Sequence, residues 1–328
     1  MKGDHGTRRP ECAMAPTLII GGAGFIGLEV TRLLLKAGGD VVVLGRGQEP
    51  LSLPKGCRYV QGDYANLGLI RTLLQPGCDV VNLAYSTVPK TSFSDPTFDL
   101  LSNLPANVAL LQEIRRADAR RLVIVSSGGT VYGAASTLPI REDHPTNPIS
   151  PYGITKLTID SYARMFHATM DLPVLIARPA NAYGEAQRSG VGQGFMAAAI
   201  DAIQRGREVE IYGPEGTIRD YIHVHDVATG ILATLQHGVA GEIYNIGTGI
   251  GASNLDLLRL LRDLVEADGF ALRVKHLPMR RFDVAANILD SAKLSKATGW
   301  SPRVALAEGV AAMWSHRLQR ELERGPSP

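Results

Sequence analysis

The chain has 328 residues, 45% of them hydrophobic and 20% charged, with a formal net charge of +2. That length carries one large α/β domain, or a large domain with a smaller one built onto it, and the composition suffices for a substantial core. Scattered basic residues argue against a nucleic-acid surface. No apolar run reaches the length of a membrane span. The three cysteines, Cys12, Cys57 and Cys78, stand at no metal-ligand spacing and read as reduced thiols of a cytoplasmic protein.

Residues 1–13 are polar, with no apolar signal core behind them, so a tail is expected there and the ordered protein should begin near Met14. Residues 17–20 form a short apolar strand that runs into glycines. Helical spacing follows over 25–37 and stops at Gly38-Gly39. Strand-like runs recur at 41–44, 58–61, 79–83 and 122–126, separated by helical stretches near 66–75 and 99–117. A long helix over 152–170 and a strand over 173–177 complete the series. Continuous apolar strands alternating with helices predict a Rossmann-like α/β fold, a doubly wound parallel sheet, over residues 14–178. Beyond Arg178 the rhythm loosens. A loop over 179–194, strands at 208–212, 218–224 and 242–246, and helices at 195–205, 226–236, 253–267 and 305–322 predict a smaller α+β substrate lobe over 179–328.

Glycines at 21, 24 and 27 lie between the first strand and the first helix. That context turns a glycine motif into a dinucleotide site: the backbone approaches a pyrophosphate closely, and the helix N-terminus supplies N–H groups. An acidic residue for the adenosine ribose is expected about 20 residues on, but the sequence there reads Leu44-Gly45-Arg46-Gly47. Arg46 suits a 2′-phosphate or an adenine face, or lies in a solvated loop, so NADP stands beside NAD. Asp63 of Gly62-Asp63-Tyr64 is placed either at the adenine amino group or as the N-cap of the helix near 66–75.

Tyr152 and Lys156 open the long helix at i,i+4 spacing, on one face. A phenol is a poor base at neutral pH, and a nearby ammonium favours its ionised form. Such a pair can take the proton of a sugar hydroxyl while the lysine holds a nicotinamide ribose.

Eight stretches now stand in order: GGAGFIG at 21, GDY at 62, NLA at 82, SSGGTVYG at 126, YGITK at 152, RPANAYG at 178, RDYIHVHDVA at 219 and YNIGTG at 244. Together they make the chain similar to the extended short-chain dehydrogenase/reductases, and within them to the UDP-glucose 4-epimerases. The resemblance implies transient oxidation at C4 of a nucleoside-diphosphate sugar with bound NAD or NADP. It implies further cofactor contacts at Phe25, Ile26, Tyr64, Leu83, Ala84, Asn103 and Ser126, and a homodimer through the helices near 99–117 and 152–170. On the substrate side it implies Asn181, an aromatic Tyr212 stacked on the base, Arg219 and Arg280 on the diphosphate, Asp283 on the ribose, and a size gate at Asn287 open to an N-acetyl group. His223 and His225 invite a metal, but no third ligand accompanies them, so no metal is expected.

The chain departs from that pattern at Gly128, where the epimerases carry the Ser or Thr that bonds the reacting hydroxyl. Thr130, then Ser127, are the expected substitutes. The Asp-Glu pair of the sugar-nucleotide dehydratases is replaced by Gly129-Thr130, which disfavours water elimination. A net reductase or dehydrogenase, and a nucleotide-binding sensor without chemistry, are the alternatives.

Overall fold

In the computed structural model of the chain, residues 14–187, 194–279 and 284–324 are described. The first half runs β1 (Thr17–Ile20), α1 (Phe25–Lys36), β2 (Val41–Gly45), β3 (Arg58–Gln61), α2 (Leu67–Leu73), β4 (Asp79–Asn82), α3 (Pro89–Ser94), α4 (Pro96–Arg116), β5 (Arg121–Val125), α5 (Gly128–Val131), α6 (Pro151–Met170) and β6 (Val174–Pro179). The second half runs β7 (Asn181–Tyr183), α7 (Phe195–Gln204), β8 (Val209–Tyr212), β9 (Ile218–His223), α8 (Val224–His237), β10 (Ile243–Ile246), β11 (Gly251–Ser253), α9 (Asn254–Ala267), β12 (Val274–Leu277), β13 (Ala286–Asn287), α10 (Ala292–Thr298) and α11 (Leu306–Arg324).

Seven strands form a parallel sheet in the order β10-β6-β5-β4-β1-β2-β3. Helices cover both faces, so β1 is buried at all four positions and shows no polar alternation. Leu18 and Ile20 join Leu44, Val80 and Leu122 on one face, while Ile19 joins Val43, Val81 and Val123 on the other. Strand order reverses between β1 and β4, and the loops that leave their carboxyl ends part there to open a crevice.

The seventh strand comes from the second half of the chain. β10 pairs with β6, Ile243 opposite Ile176, and α8 packs on α1. A boundary at residue 178 therefore divides the chain but not the sheet. The lobe itself is built on β9, which takes β7, β11 and β13 as neighbours. β7 lies in a segment expected to be loop. Met196, Ile200, Leu257, Leu261 and Trp314 form a separate core that holds the lobe's helices, each large side chain contributing about 1.5–3 kcal/mol on burial. No helix among the described residues is long and apolar enough to cross a membrane.

Candidate active site

The turn after β1 is shaped by close backbone contacts. Gly21 has φ +82°, and a Cβ on it would lie 3.0 Å from Ala84 N. A Cβ on Gly27 would run into Gly21 O, so α1 starts hard against the turn. Its N-cap, Gly24, carries no side chain, and its first turn holds no acid. The unpaired N–H groups there face a crevice with the positive end of the helix behind them, a ready anion site. Gly21, Gly24, Phe25, Ile26 and Gly27 line a cavity of about 970 Å³ that also reaches Ser126, Tyr152 and the lobe.

A smaller pocket of about 220 Å³ adjoins it, lined by Gly45, Arg46, Tyr64, Leu83, Ala84 and Ser86 among others. At the position where a ribose-binding acid is expected, a Cβ on Gly45 would lie 2.6 Å from the Tyr59 hydroxyl, which donates to Gly47 O at 2.7 Å. Tyr59 thus takes the space such a side chain would enter. The Arg46 guanidinium is at the pocket wall, 3.5 Å from Ser86 Oγ. Asp63 is not among the lining residues: its carboxylate accepts from Ala65 N at 2.9 Å. Nor does it cap α2, whose N-cap is Asn66, accepting from Leu69 N. Asn103 is fully buried and holds the wall from behind, accepting from Ser86 N at 2.8 Å.

α6 begins at Ser150, which accepts from Gly153 N, with Pro151 at the first helical position. This start sets Tyr152 and Lys156 on the cavity wall. Tyr152 N donates to Ser92 Oγ of α3 at 3.2 Å. Lys156 Nζ donates to Val125 O at 3.0 Å and lies 5.8 Å from the Tyr152 ring centroid. Burial lowers the Lys156 pKa to about 8 against the opposing charges of Asp160 and Asp99. Burial raises that of the Tyr152 phenol, and Asp99 adds to the rise. One step behind, Arg178 of β6 donates two hydrogen bonds to Asp160 Oδ2, at 3.1 and 2.9 Å, within the core. Removing either partner of such a buried pair costs about 3–5 kcal/mol.

Around Gly128 the wall is closed from outside. A Cβ there would strike Leu289 Cδ1 and lie 3.0 Å from Arg178 O; a Cβ on Gly129 would lie 3.0 Å from Asn181 Oδ1. Ser127, Thr130 and Asn181 line the cavity. Thr130 Oγ1 is buried and has no hydrogen-bond partner among the described residues.

On the far wall stand Tyr212 and Arg219. Tyr212 OH donates to Glu210 Oε2 at 3.0 Å, and the Arg219 guanidinium donates to Ile218 O at 2.8 Å. Arg280 and Asp283 lie outside the described residues. Asn287 does not reach the cavity: it is buried, and its side-chain amide donates to Gly128 O at 3.1 Å. The size gate expected there is therefore misplaced; β13 turns that side chain inward, and among the described residues of this segment Val284 touches the cavity. His223 and His225 do not share a strand face, because β9 ends at His223 and Val224 begins α8. His223 faces Glu185 at 3.3 Å and His225 faces Glu29 at 2.7 Å.

A model of the NAD dependent epimerase/dehydratase family matches residues 17–247. The chain belongs to that family. It is 33% identical over 303 residues to a UDP-glucose 4-epimerase of Mycolicibacterium smegmatis, covering 90% of this chain and 96% of that one. It is 31% identical to a dTDP-glucose 4,6-dehydratase of an Actinoplanes species, covering 90% and 95%. Among solved structures, the UDP-glucose 4-epimerase of Thermus thermophilus in complex with NAD superimposes with a TM-score of 0.83 at 30% identity, covering 95% of this chain and all of that one.

The cofactor of this epimerase/dehydratase family is NAD, and the cradle of Gly21, Gly24 and Gly27 fits it, since only residues without a Cβ let the turn and the start of α1 pack this closely and leave the helix N-terminus bare. Sequence reasoning missed three residues at or behind the site. Tyr85 lines both pockets, Asp99 is buried behind it, and Leu289 fills the space beside Gly128. Only Asp99 carries a signal that could have found it, as a lone acid between Phe98 and Leu100 in a helical stretch.

Proposed function

We propose that the chain is a UDP-sugar 4-epimerase that interconverts UDP-glucose and its C4 epimer, with NAD bound in the glycine cradle. Bound there, NAD supplies the hydride acceptor and donor. Tyr152 takes the proton of the C4 hydroxyl and returns it, and Lys156 favours the ionised phenol and binds the nicotinamide ribose. Thr130 bonds the reacting hydroxyl in place of the absent side chain at 128, with Ser127 beside it. Asn181, Tyr212, Arg219, Arg280 and Asp283 hold the nucleoside diphosphate, the arginines through charge-assisted bonds. The reading is carried by one observation: the wall beside Tyr152 offers a free buried hydroxyl at Thr130 and no acid at 129 or 130. Elimination of water needs a proton donor to the leaving hydroxyl, and the side of Gly129 is taken by Asn181.

A homodimer through α4 and α6 belongs to the same reading. Phe98, Leu101 and Ile154 on these helices are more than half exposed, an apolar face that a second copy would cover.

The test is NMR of the products after incubation with NAD and, in turn, UDP-glucose, UDP-galactose and their N-acetyl forms. Interconversion of C4 epimers supports the reading. A 4-keto-6-deoxy product, or NADH accumulating with oxidised sugar, would replace it with a dehydratase or a net dehydrogenase.

A further inference from the structure

Asp99, in the first turn of α4, is fully buried, and no lysine, arginine or histidine forms an ion pair with it among the described residues. Its carboxylate is held by hydroxyls instead. Thr87 Oγ1 donates to Oδ1, Thr155 Oγ1 donates to Oδ2 at 2.7 Å, and Tyr85 OH lies 3.4 Å from both oxygens. These contacts lead directly to the acid/base pair. Thr155 immediately precedes Lys156. The Tyr85 ring carries Lys156 Nζ 4.2 Å from its centroid and meets the Tyr152 ring edge-on at 4.8 Å. A buried carboxylate without a cation is costly, and several hydroxyl donors converge on this one.

We propose that Asp99 is a positioning residue for Tyr152 and Lys156: it anchors Tyr85 as the platform for the Lys156 ammonium and places a fixed negative charge behind both side chains. The proposal rests on reading Tyr152 and Lys156 as the acid/base pair. The groups facing them are Asp160 from α6, itself paired with Arg178 of β6, Asp99 from α4, and Tyr85 from the loop after β4. A negative charge raises the proton affinity of a phenol and of an amine alike. Asp99 thus opposes the lowering of Lys156 by burial and adds to the rise of Tyr152. Replacing it by a neutral side chain moves both titrations to lower pH.

The experiment follows phenolate absorbance against pH in the NAD-loaded protein, with Tyr152→Phe subtracted as the blank. In Asp99→Asn the Tyr152 midpoint is expected about one pH unit below wild type. Tyr85→Phe keeps the ring and the charge but loses the anchor, so its midpoint stays at the wild-type value while turnover slows. Should Asp99→Asn fail to fold, Asp99→Ser removes the same charge and is read in the same way. An unchanged midpoint in a folded Asp99 variant overturns the proposal and leaves Asp99 a packing residue. The titration needs no sugar, so its result is independent of which substrate is turned over. Absence of any signal that Tyr152→Phe removes would instead sink the reading of the pair, and this proposal with it.

Discussion

Leu289 stands where a side chain on residue 128 would have to go. A Cβ at Gly128 strikes its Cδ1, and the backbone of Arg178 closes the other side at 3.0 Å. The glycine is a packing requirement of this chain. Restoring a serine at 128 is therefore expected to cost about 1–3 kcal/mol, the usual penalty for overpacking, and to lower turnover. Thermal melting and steady-state rates of Gly128→Ser check this. A Gly128→Ser protein that melts like wild type and works faster would show that Leu289 yields.

The hydroxyl that serves the reaction is then expected from the next turn. Thr130→Val should lower kcat by about tenfold to a hundredfold, near the lower end of what one acid/base contact contributes, while the dissociation constant for UDP-sugar changes little. Ser127→Ala should be milder. A neutral Thr130→Val together with a crippled Ser127→Ala would transfer the role to Ser127.

At the adenosine end, Tyr59 blocks a carboxylate at 45 and Arg46 stands at the pocket wall. Discrimination against a 2′-phosphate should accordingly be weak. Titration calorimetry is expected to place NADP within about tenfold of NAD, a difference near 1.4 kcal/mol. Arg46→Ala should weaken NADP more than NAD, because only NADP offers a charge-assisted contact there. Equal losses would place Arg46 in solvent.

The pH dependence follows from burial of the pair. Lys156 holds its proton only up to about pH 8, whereas Tyr152 is raised above an ordinary phenol. The ammonium of Lys156 favours the ionised phenol, so the pair works only while Lys156 keeps its proton. kcat/KM is thus expected to fall as pH rises through about 8. A profile that rises across that range would contradict the charge balance described for the pair.

The main sheet was legible because its strands are short, continuously apolar and regularly separated by helices. The glycine loop and the Tyr152–Lys156 spacing were legible for a similar reason: each is a local pattern whose residues lie within seven positions of one another. What sequence did not show depends on distant contacts. β10 joins the sheet beside β6 only because α8 carries the chain back over α1, and a four-residue strand carries no sign of its partner. The family resemblance puts Asn287 at the cavity, but in a strand each step of one residue reverses the face. The link from Asp99 to Thr155 spans 56 positions and joins two helices, so neither helix's periodicity records it.

The role of Tyr152 is tested most directly by the turnover of UDP-galactose by Tyr152→Phe loaded with NAD, with bound NAD quantified in the same sample. Removing one hydroxyl should leave NAD stoichiometry unchanged and lower kcat by about a hundredfold or more. Wild-type turnover in the NAD-loaded Tyr152→Phe protein would contradict Tyr152 as the acid/base of the reaction.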